Sequence, residues 1–221
     1  MNCVTRAKGI MGFVLIVAIC NLHLLLGTDP TSLIFDTARV ADGQWWRIVT
    51  HPFVHVSWYH LLLDSAALVL LWKELRLVSN QQKFLAAACC AGGSLIFALL
   101  TSEKVFQFGL CGFSGMAHGL AFLLGLCWLA ESRLRHGSAR LVLVMAGLFL
   151  SVTSLGKSLF EFFTGSVVFS RMHMGELGVP IVASHLGGVL GGLTAVLVMV
   201  LRDERPFGLS HLLEPHPRAR V

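Results

Sequence analysis

Long apolar runs alternate with short polar ones along this chain, at a spacing suited to membrane crossing. A spanning helix needs about 17 to 25 predominantly apolar residues. Six such runs stand out, roughly 9–27, 57–75, 84–101, 113–131, 140–157 and 179–201. The pattern predicts an all-α membrane protein with six transmembrane helices, although the second and fourth runs carry polar residues and stand out less by hydropathy. Composition agrees. Of 221 residues, 55% are hydrophobic and only 13% charged, and the mean hydropathy is +0.75. Such a chain has lipid as its main solvent. A single membrane domain over 1–221 is expected, its motif-bearing core at about 45–201 and a short tail at 202–221.

The basic residues orient the helices. With a cytoplasmic N-terminus, twelve Lys and Arg fall in inside segments, among them Arg6, Lys8, Lys73, Arg76, Arg133, Arg135 and Arg202. Five fall outside: Arg39, Arg47, Lys104, Lys157 and Arg171. The positive-inside rule then predicts both termini in the cytoplasm. This asymmetry also accounts for the net charge of +5 without a nucleic-acid partner.

Two other readings of the sequence carry less. Arg6 and Lys8 before an apolar run resemble a signal peptide, but no small-residue cleavage site follows, so a retained helix is expected. The six cysteines fit no metal spacing, and four sit within predicted spans, where they read as small packing residues. Cys111 alone lies near candidate chemistry.

That chemistry begins in the fourth run with GFSGMAHG, Gly112 to Gly119. Gly112, Gly115 and Gly119 share a helix face, an arrangement that lets a neighbouring backbone come close. Ser114 reads either as one more small residue on that seam or as a nucleophile. In a helix's first turn, free N–H groups and the positive dipole end can stabilise an oxyanion. The sixth run answers with SHLGGVLGG, Ser184 to Gly192, where Gly188 and Gly192 follow His185 at three and seven residues. Packing the two glycine faces together would bring His185 to Ser114, the geometry of a base-activated nucleophile. A hydroxyl and an imidazole at membrane depth are costly without a polar role.

A third cluster occupies 43–68. His60 and His51 and His55 precede Asp64, which lies four residues after His60 and so on the same helix face. Trp45 and Trp46 belong at a membrane interface, where Arg47 can bind headgroups or nearby carbonyls. Histidines 51, 55 and 60 can also be read as metal ligands, but they lack a tight ligand motif. A haem or metal held by His60, His118 and His185 is a weaker reading still, and no cofactor or metal is expected.

WWRIVTHPFVHVSWYHLLLD, GFSG and HLGGVLGG together resemble the rhomboid intramembrane serine proteases, whose motifs are W-R, H-x-x-x-N, G-x-S-G and A-H-x-x-G-x-x-x-G. The resemblance runs from Trp45 to Gly192. It implies a six-helix bundle with Ser114 as nucleophile at the start of the fourth helix and His185 as base on the sixth. It implies no third catalytic member, the base being held by packing. His60, the residue at position 64 and the Ser114 backbone N–H would form the oxyanion pocket. The implied partners are the lipid bilayer and protein substrates anchored by a transmembrane segment or a C-terminal tail. The implied location is a bacterial inner membrane, with the active site toward the periplasmic side and water reaching it past His51, His55 and His60. A rhomboid-like protein that binds transmembrane segments without cutting is the rival class.

His118, the LGKSLFEFFTG stretch with Lys157 and Glu161 in i, i+4 relation, and VPIVASHLGG resemble the rhombosortase branch. That branch is linked to removal of GlyGly-CTERM tails. Two positions depart from the family pattern. Ser184 replaces the usual alanine, small for small. Asp64 replaces the usual asparagine: an ionised carboxylate there would repel an oxyanion, whereas a protonated one can donate a hydrogen bond.

Overall fold

The computed structural model describes residues 3–76, 78–168, 175 and 178–202. It is all-helical. Among the described residues ten α-helices follow one another: α1 (Cys3–Cys20), α2 (Leu22–Leu26), α3 (Thr37–Ala41), α4 (Arg47–Thr50), α5 (Trp58–Glu74), α6 (Asn80–Thr101), α7 (Lys104–Phe108), α8 (Ser114–Ser132), α9 (Gly137–Thr164) and α10 (Ala183–Leu201). Among the described residues there is no strand, only an isolated bridge between Phe35 and Leu110.

Among the described residues, four helices, α6, α8, α9 and α10, are long and apolar enough to cross a membrane. A fifth span is completed if the segment Arg47–Phe53 is counted with α5, to which it stands at 91°. The expected second to sixth runs thus correspond to α5, α6, α8, α9 and α10. The first run differs. It is not one helix over 9–27: α1 runs from Cys3 to Cys20, the chain breaks at Asn21, and α2 lies beyond the break. Asn21 is the reason. Its amide is buried, donates to the carbonyls of Val17 (2.8 Å) and Phe53 (2.7 Å), and accepts from the His55 N–H at 2.9 Å. An Asn side chain competes with the backbone for such groups and so ends helices. The expected tail at 202–221 lies, beyond Arg202, outside the described residues.

α8 is the central post. It packs against α9 and α10, and α10 packs most extensively on α6. α8 and α10 are largely buried, while α6 and α9 turn most of their surface outward, as apolar side chains do where lipid replaces water. The close contacts rest on glycine. A Cβ on Gly188 would overlap the Gly115 carbonyl, and one on Gly187 would sit 2.5 Å from the Gly93 carbonyl. Only bare backbone allows helices this near. One apolar cluster, centred on Leu120, Leu123, Cys90 and Phe113, fills the space between α5, α6 and α8.

Candidate active site

Ser114 is the first residue of α8, with Phe113 as its N-cap and Gly112 turning the chain just before them. Gly112 has φ +93°, a left-handed conformation that suits glycine. Its N–H donates to the His51 carbonyl at 3.1 Å, and Leu110 pairs with Phe35. The loop is thereby fixed at both ends, and Ser114 emerges half-buried in the helix's first turn. The first N–H groups of a helix have no intrahelical acceptor and point past that serine.

His185 enters from the first turn of α10, 71 residues later in the chain. Its Nε2 is 3.2 Å from Ser114 Oγ. The glycine seam of α8 and α10 sets this approach, so the pairing expected from the two matched seams is what the structure contains. The notion that packing alone holds the imidazole needs correction. Its other nitrogen, Nδ1, is 2.6 Å from Oε2 of Glu161, a fully buried carboxylate on α9. His118 lies flat on the same ring, with centroids 4.1 Å apart and planes 11° from parallel. It contacts the serine only through the backbone, Nδ1 being 2.7 Å from the Ser114 carbonyl. Lys157 joins the group, its Nζ 2.8 Å from His118 Nε2 and 2.7 Å from Glu161 Oε1.

The second cluster sits on the other side of the loop. Asp64 Oδ2 is 3.3 Å from His60 Nε2 and 3.5 Å from His55 Nε2. A Cβ on Gly112 would come within 2.8 Å of His60 and 3.1 Å of the Asp64 carboxylate, so His60 and Asp64 lie directly against the loop that presents Ser114. His51 and His55 are buried, at 3% and 0% exposure, and do not line a water path as expected. They tie the loop down instead. His51 Nδ1 meets the Ile48 carbonyl at 3.0 Å, and His55 packs against Phe113 and His60. Arg47 takes the carbonyl-binding role. It is buried, with Nη1 2.7 Å from the Ile34 carbonyl and Nε 2.8 Å from Gln44, while Trp45 and Trp46 are exposed beside it. Cys111 is close to the chemistry without being suited to it, because burial first, and the Asp64 charge second, push its thiol up to about 12.

Two groups of donors are near enough to share a cation, His55 with His60 and Asp64, and His118 with Glu161 and His185. In the second the carboxylate oxygens already face Lys157 and His185. In the first the carboxylate faces two imidazoles. In the second group hydrogen bonds use the atoms that would bind a metal, whereas in the first Asp64 Oδ2 and both ring nitrogens of His55 are buried without a hydrogen-bond partner among the described residues.

Sequence reasoning singled out Lys157 and Glu161 only as a spaced pair and did not connect them to His185. A carboxylate inside an apolar helix was the available signal. Asn21 was passed over altogether, and an amide inside the first apolar run was the corresponding sign.

Ser114, His185 and Glu161 form a chain of contacts of the kind that activates a hydroxyl for attack on a carbonyl. A family model of the Rhomboid domain matches residues 42–202. Comparisons with curated proteins and with solved structures gave no match. The matched segment takes in Ser114, His118, Glu161 and His185 and all the helices long enough to span a bilayer, which makes this a multi-pass integral membrane protein. The chain belongs to the rhomboid family, whose members are in general intramembrane serine proteases.

Proposed function

We propose that this protein is an intramembrane serine endopeptidase in which Ser114 is the nucleophile and His185 the general base. The observation that carries this is the 3.2 Å contact between Ser114 Oγ and His185 Nε2 at the heads of two helices. Ser114 attacks a peptide carbonyl of a transmembrane substrate. His185 takes the serine proton and delivers it to the leaving amine, and water then hydrolyses the acyl-enzyme. The Ser114 backbone N–H, His60 and Asp64 face the developing oxyanion. No cofactor takes part in this scheme.

The substrates are proteins anchored by a transmembrane segment, specifically GlyGly-CTERM tails removed in the manner of rhombosortases; His118, Lys157 and Glu161 support that branch. A cleft of about 370 Å³ between α5 and α9, floored by α8, supports lateral access: it is lined by apolar side chains such as Leu70, Leu71 and Ala121 and reaches His118 and Lys157. α5 scarcely meets α9, so a substrate helix can part them. In the bilayer the chain has six spans, cytoplasmic termini and a site facing the periplasm.

Ser114→Ala and His185→Ala are each expected to lower cleavage of a tail-bearing reporter by about 10⁴-fold or more, and the double variant to be no worse, because the two groups act as a unit. Labelling by a fluorophosphonate probe is expected for the wild type and absent in Ser114→Ala. Cleavage retained by Ser114→Ala would overturn the mechanism.

A further inference from the structure

Glu161 is the one acid buried to 0% exposure among the described residues. Such a carboxylate costs several kcal/mol unless donors surround it (about that size for a desolvated ion). Here both oxygens are used. Oε1 faces Lys157 Nζ at 2.7 Å and accepts from the Val168 backbone N–H at 2.8 Å, and Oε2 faces His185 Nδ1 at 2.6 Å. Val168 belongs to the turn after α9, where Gly165 at φ +66° ends the helix, so the chain itself folds back to serve this side chain.

A carboxylate only accepts hydrogen bonds. Its contact with His185 therefore requires the proton on Nδ1, which leaves the lone pair on Nε2, the nitrogen 3.2 Å from Ser114 Oγ. The same reasoning fixes His118. Its Nδ1 faces the Ser114 carbonyl, an acceptor, and so carries the proton; its Nε2 then accepts from the Lys157 ammonium. His118 has no lone pair turned to the serine hydroxyl, and its flat contact keeps the His185 ring from rotating. The base is held at its edge by Glu161 and on its face by His118.

We propose that Glu161 is a positioning residue for the base, holding His185 in the Nδ1–H form and countering the positive charge His185 acquires when it takes the Ser114 proton. The site is then a Ser-His-Glu arrangement, with Lys157 as counter-ion to the carboxylate. Glu161 takes no proton itself. The proton moves from Ser114 Oγ to His185 Nε2 and on to the leaving nitrogen. This inference rests on the reading of Ser114 and His185 as nucleophile and base. The charges facing His185 come from α9 (Glu161, Lys157) and the stacked imidazole from α8 (His118). α6 contributes Cys89 and Cys90 further along the seam, at Gly191 and Gly119, and α5 contributes His60 and Asp64 against Gly112.

The test uses the full chain in liposomes with a reporter carrying a transmembrane tail, measuring kcat and KM separately, together with the rate of fluorophosphonate labelling and Tm. Glu161→Gln keeps shape and removes charge; kcat and the labelling rate are expected to fall about 10²- to 10⁴-fold with KM little changed, the behaviour of a triad whose acid is made neutral. Glu161→Asp, which keeps the charge, is expected to recover at least tenfold of that loss. Should Glu161→Gln fold poorly because Lys157 is left unmatched, the double variant Glu161→Gln with Lys157→Met removes both charges, and the same loss of kcat is expected at a restored Tm. A kcat within threefold of wild type in either charge-removed protein overturns the proposal. So does equal loss in the Gln and Asp variants that follows Tm alone, which marks a purely structural acid. Ser114→Ala runs alongside: if it still cleaves, the reading of the site fails; if it is inactive while Glu161→Gln is not impaired, only the role of Glu161 fails.

Discussion

Asp64 is the side chain whose chemistry departs furthest from the rhomboid pattern, and its surroundings show what a carboxylate does in place of an amide. One oxygen meets both His60 and His55, and the whole group presses on Gly112 two residues before the serine. Its Oδ2 lies 3.3 Å from His60 Nε2, on the side of the loop that the proposed mechanism assigns to the oxyanion. Asn can keep one of these contacts through its carbonyl and supply an N–H donor, whereas Leu strands two buried imidazoles. Asp64→Asn is therefore expected to retain activity, and Asp64→Leu to lose about 10² to 10³ in kcat, the usual effect of removing one oxyanion donor. Full activity of Asp64→Leu on the tail reporter would take this residue out of the pocket. The presence of Asp64 near the serine could be read from the family pattern. Its contact with His55 could not, because His55 lies in the break before α5, where the chain turns by 91°, and not on the face of α5 that carries Asp64.

The helices place the chemistry through their glycines, and not all glycines matter alike. Gly188 lies in α10 where its backbone meets that of Gly115, next to the serine; Gly156 lies in α9 with nothing within 4 Å of where a Cβ would stand. Gly188→Ala must push the α8 and α10 heads apart, an overpacking that costs about 1–3 kcal/mol and separates Ser114 from His185. Gly156→Ala meets no obstacle and replaces a poor helix former, with a gain of up to about 1 kcal/mol. Thermal unfolding in detergent is expected to show opposite signs for the two, with activity lost only in Gly188→Ala. Equal Tm values would mean that the seam tolerates a wider gap. The seam itself was legible from the spacing of Gly112, Gly115, Gly119, Gly188 and Gly192. The broken first helix was not, since apolar residues surround Asn21 on both sides and its partners, Phe53 and His55, are more than 30 residues away.

Across the bilayer, the proposed topology puts the heads of α8 and α10 outside and the turn between α8 and α9 inside. Glu103, after α6, and His136, before α9, are exposed at opposite ends of the bundle. With cysteine introduced at each, Glu103→Cys is expected to react with a membrane-impermeant maleimide on intact spheroplasts and His136→Cys only after permeabilisation; the reverse pattern would invert the protein in the membrane. Hydropathy and charge asymmetry suffice to raise this expectation, because partition into lipid and the positive-inside bias act on each segment almost independently of its neighbours. The same holds for Ser114, His185 and their glycines, whose regular spacing along single helices fixes the face they share. The partnership of Glu161 with His185, the stacking of His118 and the clamp made by Asn21 are of another kind. Each joins residues on different elements, and which side chains meet there depends on how those elements pack around one another, α8 with α9 and α10 in the first two and the end of α1 with the segment before α5 in the third, a property of the assembled bundle that no periodicity within one helix encodes.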